Sequence, residues 1–329
     1  MLKYIAKRLA LSVLILLGVS LIIYILVRCM PFDYVSNKIA ALQSNTSLDA
    51  TAIQNMYEAY GLSDSSPLGI LKGYFNWLGS LCRFDFGRSF VYGEEVIKVI
   101  VDKMGVSFAV AIIATVFEFL IAIPLGITAA THQYSLRDYI VTILVMIGIS
   151  LPSFFFGQIL KDFFAMKLGW FPPSGLVDAT ASAKGIALLF DYLRHMFIPI
   201  LTVVILSIGG RMRMTRTNML EVLNSDYIRT ARAKGLSEGK VIYKHAFRNT
   251  MIPLVTTLAG LLPSLFSGAI ITEQVFDLPG IGNVAFKAMM QADIPFIMGY
   301  NMFLALLSVI GVLLADLMYA VVDPRVKLT

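Results

Sequence analysis

The sequence predicts an all-α polytopic membrane protein with six transmembrane helices, and three observations carry that prediction. Apolar residues fill 57% of the 329 positions and charged residues only 15%, against roughly a quarter charged in water-soluble domains. The apolar surplus falls in blocks, each near the about 20 residues that a helix needs to cross a hydrocarbon layer. Basic residues gather in alternate connecting segments, as membrane insertion imposes.

The first block follows Lys3, Lys7 and Arg8 and runs uncharged from Leu9 to Val27. It is longer than the 7–15 apolar residues of a cleaved leader, and Arg28-Cys29-Met30-Pro31 has no small-residue cleavage pattern, so a retained helix is expected. Five more blocks run over Gly105–Thr131, Tyr139–Leu160, His195–Gly210, Thr250–Ile271 and Phe296–Val322. Each is read as one helix, because lipid offers an open chain no other way to satisfy its backbone. The fourth is short, so its helix is expected to continue past Arg211. The corresponding ranges are 1–30 for the tail and first helix, 31–104 for an extracytoplasmic segment, 105–322 for a five-helix core, and 323–329 for a tail.

Six spans place both termini on one side. The segments on that side, 1–8, 132–138, 211–249 and 323–329, hold fifteen of the 27 basic residues and five of the 21 acidic ones. Twelve basic and sixteen acidic residues remain elsewhere. Basic flanks stay cytoplasmic, so both termini are expected inside. The net charge of +6 therefore points to membrane headgroups and not to nucleic acid. Cys29 and Cys82 are too few for a disulfide framework or a four-ligand zinc site, and whether they pair is open.

The inner segment 211–249 reads as ordered structure. Ser225 or Asp226 would cap a helix start, basic residues crowd its far end, and Gly235 stands where helices end with positive φ. Ser237-Glu238 would start a second helix. Tyr227, Ile228 and Ala231 make a small apolar face on a cationic helix, which suits a groove on another protein or anionic lipid.

This loop resembles the EAA loop of bacterial binding-protein-dependent permeases. Ala231 and Gly235 match that pattern, whereas Arg229-Thr230 replace Glu-Ala, and His245 and Phe247-Arg248 stand where Ile and Leu-Pro would be. The departures are similar to one permease of the oligopeptide, dipeptide and nickel importers. There Asp226-Tyr227-Ile228-Arg229-Thr230-Ala231-Arg232-Ala233-Lys234-Gly235-Leu236 matches closely, as do Arg248-Asn249 with Pro253. Tyr4-Ile5 with Lys7-Arg8-Leu9, Asp85-Phe86-Gly87-Arg88-Ser89, Glu273 to Gly282, and Asp316 with Tyr319 and Asp323-Pro324-Arg325 extend the resemblance along the chain.

The resemblance implies the type I ABC importer permease fold in a bacterial plasma (inner) membrane. It implies a peptide substrate, a homologous second permease, two ABC ATPase subunits and an extracytoplasmic substrate-binding protein. ATP and Mg would be bound by those ATPases, with no cofactor in this chain, because Gly239-Lys240 lacks the rest of a phosphate loop. Asp226 to Ala231 with Ala233, Lys234 and Gly235 would couple to the ATPase. Glu273, Phe276, Pro279, Gly280 and Gly282 would form a loop on the binding-protein side, a plain surface turn being the alternative.

Pro124, Pro152, Pro199, Pro253 and Pro263 are expected to interrupt spans. Ser150, Pro152, Ser153, Ser264 and Ser267 combine small, polar and kinking character. They would face a translocation path or serve close helix packing. Glu118 lies centrally in a block and Asp316 near an inner end, where acids usually face protein or water.

Three other functions stand beside this one. A nickel-chelate or other small-solute importer shares the same permease pattern. A secondary transporter or channel would carry inverted repeats, and no clear repeat exists. A membrane enzyme would need ligands or a base inside the spans, whereas His132, His195 and His245 lie at or beyond their ends.

Overall fold

The computed structural model describes residues 2–29, 66–178 and 184–322. Positions 31–65 of the predicted extracytoplasmic segment and the motif Asp323-Pro324-Arg325 lie outside the described residues. The chain divides into two compact units. One comprises Met1–Gly105, Gly280–Ile310 and Leu328–Thr329, the other Val106–Pro279 and Gly311–Lys327. The segment Gly280–Ile310 thus groups with the N-terminal part of the chain. Among the described residues the β structure is a single antiparallel bridge between Arg88 and Glu95.

In the first unit, α1 (Leu2–Arg28) packs beside α2 (Pro67–Leu81). The second helix starts where Ser66 Oγ accepts the Gly69 amide proton at 3.0 Å and proline takes the first helical position, a cap with a residue whose missing N–H does not matter there. Tyr24 and Val27 of α1 share a core with Tyr74, Trp77, Ile294 and Met298. Trp77 is 2% exposed and belongs to that core.

Two further helices, α10 (Ile281–Met290) and the start of α11 (Ile294–Val322), meet the turn 85–95 around Phe86, Val96, Ile100, Ile281, Phe296 and Tyr300. Gly299 allows this approach, since a Cβ there would stand 3.0 Å from Val96 Cγ1. Asp293, fully buried, caps α11 by accepting the Phe296 amide at 3.2 Å. It also accepts Ser89 Oγ at 2.5 Å and the Phe90 and Val91 amides at 3.1 and 3.0 Å.

The second unit is built on α3 (Val96–Thr131, from Val106 onward), α4 (Leu136–Ser150), α5 (Ser153–Leu160, continued by a π-helical turn over Lys161–Lys167) and α6 (Ile186–Leu223). The block Tyr139–Leu160, expected as one helix, is a bent pair: α4 and α5 meet at 103°. Pro152 has no amide to continue the ladder and holds Leu151 extended at ψ 131°, which is the physical cause of the break. Pro124 and Pro199 instead lie inside unbroken helices, as do Pro253 and Pro263 in α8 (Phe247–Ser267). Of the five prolines expected to interrupt spans, Pro152 alone does.

By length and composition four helices of the described residues suffice to cross a membrane, or five with the bent pair. The 21-residue α8 occupies the place of the fifth sequence block. As expected of the short fourth block, α6 runs on past Arg211 to Leu223.

Three glycines set the spacing of α6 against α3 and α4. A Cβ on Gly126 would stand 2.9 Å from the Met212 carbonyl, one on Gly148 3.1 Å from that of Ile205, and one on Gly209 would strike Ile149. Two ion pairs tie the same helices. Arg211 Nε donates to Glu118 Oε1 at 2.9 Å, with its guanidinium 5.1 Å above the Phe119 ring. Arg216 grips Asp138 with two bonds, of 3.0 and 2.9 Å.

Candidate functional site

The loop singled out from the sequence folds as α7 (Asp226–Ala233), followed by a turn and a π-helical stretch over Lys240–Ala246 that runs into α8. Ser225 takes the N-cap position with extended backbone, but its side chain makes no cap bond. The hydroxyl instead donates backward to the Val222 carbonyl at 2.6 Å, tying the end of α6 to the start of α7.

The far end is closed by paired backbone bonds. Gly235, at φ 75°, donates to the Arg232 carbonyl at 2.9 Å, and Leu236 donates to that of Ala231 at 3.4 Å. This is the Schellman pattern, with glycine at the left-handed position and a hydrophobic contact from the residue after it. Leu236 supplies that contact against the cluster containing Ala231. Arg232 Nε then donates to Glu238 Oε1 at 2.8 Å across the turn.

The apolar face of α7 points into its own chain. Ile228 is fully buried and Ala231 is 7% exposed. Both pack with Ile127 and Ala130 of α3, Met219 of α6, and Val241 and Ala246. Burying Ile228 contributes about 1.5–3 kcal/mol. The expectation that Tyr227, Ile228 and Ala231 together fill a groove on a partner is corrected accordingly: Ile228 and Ala231 anchor the helix, and only Tyr227 is available. The exposed face is Asp226, Tyr227, Arg229, Thr230, Arg232, Ala233, Lys234 and Gly235. It is cationic, and Asn249 Nδ2 steadies it by donating to Tyr227 Oη at 3.0 Å.

The loop expected to face a binding protein is mostly interior. Glu273 is 1% exposed and accepts Ser107 Oγ at 2.6 Å and the Ala269 amide at 3.2 Å. Phe276, 2% exposed, is core together with Val110, Met196, Ile198 and Leu278. Gly280 and Gly282 are buried too, and Pro279 alone of the five is exposed. A carboxylate and a phenyl ring, read as surface features because they flank a Pro-Gly turn, are held inside by short α9 (Ile270–Val275).

Three hydroxyls expected along a translocation path are spent on their own helices. Ser150 donates to the Met146 carbonyl and Ser264 to that of Leu261, each at 2.8 Å, and Ser267 to that of Ser264 at 3.2 Å. Pro152 is exposed and Ser153 half-buried. Both cysteines are free thiols. Arg211 and Arg216, inner-segment charges by sequence, are paired with acids of the preceding helices. Glu118 inside an apolar block was the signal for the first pair.

A family described as the binding-protein-dependent transport system inner membrane component matches residues 122–328. The chain belongs to this family. It is an inner-membrane permease component of an ABC importer. The oligopeptide transport system permease protein AppB of Bacillus subtilis is 35% identical over 99% of this chain and 100% of that one. The dipeptide transport system permease protein DppB of Alkalihalophilus pseudofirmus is 30% identical over 99% and 100%. A putative peptide transport system permease protein of Brucella abortus is 33% identical over 98% of each chain.

Among solved structures, one chain of the MetNI methionine ABC transporter in an inward-facing conformation aligns with TM-score 0.54 at 16% identity. That alignment covers 68% of this chain and 96% of that one. The importer permease takes the type I fold of that relative.

Proposed function

We propose that this permease subunit imports peptides, with both termini and residues 211–249 in the cytoplasm, and that α7 transmits the ATPase stroke. A homologous second permease completes the pathway, two ATPase subunits bind ATP and Mg, and an external binding protein delivers the substrate. The chain itself hydrolyses no ATP, because it lacks a phosphate loop. The oligopeptide, dipeptide and peptide permeases among its relatives favour peptides over nickel chelates. The excess of basic residues on the segments flanking α7 supports the orientation.

One observation carries the coupling role: α7 is seated by Ile228 and Ala231 on the inner ends of α3 and α6 while its cationic face is left free. A loop that only turned the chain needs neither a buried anchor nor a closed glycine cap. Closure of the ATPases against Tyr227, Arg229, Thr230 and Lys234 displaces α7. The same buried contacts, together with the Glu118–Arg211 and Asp138–Arg216 pairs, make α3, α4 and α6 follow.

The test is uptake by the reconstituted importer together with thiol labelling in whole cells. In a background lacking Cys29 and Cys82, an impermeant reagent is expected to modify Glu94→Cys and to leave Ser237→Cys unmodified. Labelling at 237 with protection at 94 reverses the orientation. ATP turnover by the purified permease alone would refute the division of labour.

A further inference from the structure

The segment between the first and second spans does not keep clear of the first span. Tyr74 Oη lies 2.9 Å from Ser20 Oγ, and Ser20 is about 12 Å along the helix axis from Arg28. Further along α2 and its following turn, Leu81 and Phe84 share an apolar groove of about 260 Å³ with Val13 and Leu17 of α1 and with Met302 and Leu306 of α11. Those residues of α1 belong to its uncharged stretch, Lys7–Arg28 being a candidate span.

The helix α2 is apolar on two sides. One side, with Tyr74 and Trp77, is core. The opposite side leaves Leu68, Leu71 and Phe75 exposed by 79, 53 and 62%, and Lys72 is the one charged residue of the helix. Lys72 and Asn76, one turn apart, are exposed polar side chains beside that face. A helix apolar on two sides is suited to lipid as well as to protein, and a lysine stem beside such a face carries its ammonium to the interface. The groove continues the exposed apolar surface of α1, where Val13, Leu14 and Leu17 stand out by 57, 68 and 42%. Phe84, at φ 60° and 74% exposed, sets a bulky ring in the left-handed region beside the groove. Of the nearby charges, Asp85 is engaged by the Gly87 amide at 2.9 Å.

We infer that α2 is embedded in the membrane leaflet on the Arg28 side, and that the groove between α1, α2 and α11 takes a phospholipid acyl chain. The inference rests on α1 crossing the membrane and is independent of the peptide substrate. The helix anchors the first unit to lipid, and the acyl chain fills a surface that water would wet at a penalty.

The experiment uses the full-length permease, purified with the subunits that accompany it and reconstituted in phosphatidylcholine vesicles. Nitroxide labels are placed on Cys82 in Cys29→Ser protein, and on Leu71→Cys and Phe75→Cys with both native cysteines replaced by serine. Each label is expected to collide several-fold more often with oxygen than with a water-soluble nickel chelate, and Glu94→Cys to give the opposite ratio. Leu81→Trp, which fills the groove, is expected to release one phospholipid per complex by native mass spectrometry. Preference for the chelate at 71 and 75, or shielding from both reagents by a neighbouring protein, overturns the leaflet placement. An unchanged lipid count overturns the acyl-chain site. An Ile22→Cys label on α1 that prefers the chelate would instead remove the span on which the inference stands.

Discussion

Arg211 of α6 donates from Nε to Glu118 of α3 over 2.9 Å, with side-chain exposures of 21 and 11%. The pair joins two helices that also carry α7 through Ile127, Ala130 and Met219. Its contribution is structural: a shielded charge left without its partner costs about 3–5 kcal/mol, whereas replacing both members by apolar residues is often neutral. Glu118→Ala alone, or Arg211→Met alone, is therefore expected to lower the thermal midpoint of the purified complex markedly. Glu118→Leu with Arg211→Met restores most of the loss. A double variant as unstable as either single one would show that the charges themselves are required.

A second buried acid organises the other unit. Removing the Asp293 carboxylate takes the acceptor from the Ser89 hydroxyl and from the Phe90, Val91 and Phe296 amides, at about 1–3 kcal/mol for each buried donor left unpaired. Asp293→Ala is expected to release the turn 85–95, read as rapid proteolysis at Arg88 in otherwise inserted protein. Ser89→Ala removes one donor and is expected to do so weakly. Equal resistance of Asp293→Ala and wild type would contradict the cap.

Tyr92 gives this unit an alkaline limit. Burial, with the Asp293 charge adding to it, pushes its phenol up to about 12 from the ordinary 10.0. The folded state holds this proton more tightly than the unfolded chain, so the stabilisation is complete below about pH 10. It disappears as pH rises through about 12. Thermal midpoints measured from pH 9 to 12 are expected to fall more steeply for wild type than for Tyr92→Phe. Identical slopes would contradict the shift.

Much of this fold was legible in the sequence because lipid constrains it so strongly. The apolar blocks mark the helices, Gly235 marks a left-handed cap, and Asp226 to Ala233 mark a short cationic helix. Legibility failed where a residue type admits two environments. Periodicity cannot tell whether the face of Ile228 and Ala231 meets a partner or its own chain, since both are apolar. Glu273 and Phe276 beside Pro279-Gly280 resemble a surface turn in sequence, yet the Glu273 carboxylate is buried, accepting from Ser107 Oγ and the Ala269 amide. Proline likewise has two outcomes: Pro152 bends the chain by 103°, while Pro124 and Pro199 sit inside continuous helices.

As the proposed coupling element, α7 is held by its buried face and used through its exposed one. Valine at Gly235 resists the left-handed cap at φ 75°, and tryptophan at Ala231 overfills the anchor by about 1–3 kcal/mol. Lys240, exposed beyond the turn, is the control. The decisive measurement is peptide uptake, with co-purification of the ATPase subunits, from matched amounts of membrane-inserted protein. Gly235→Val and Ala231→Trp are expected to abolish uptake and to weaken ATPase recovery or uncouple its hydrolysis, with Lys240→Ala near wild type. Normal uptake by both Gly235→Val and Ala231→Trp would contradict the coupling role of α7.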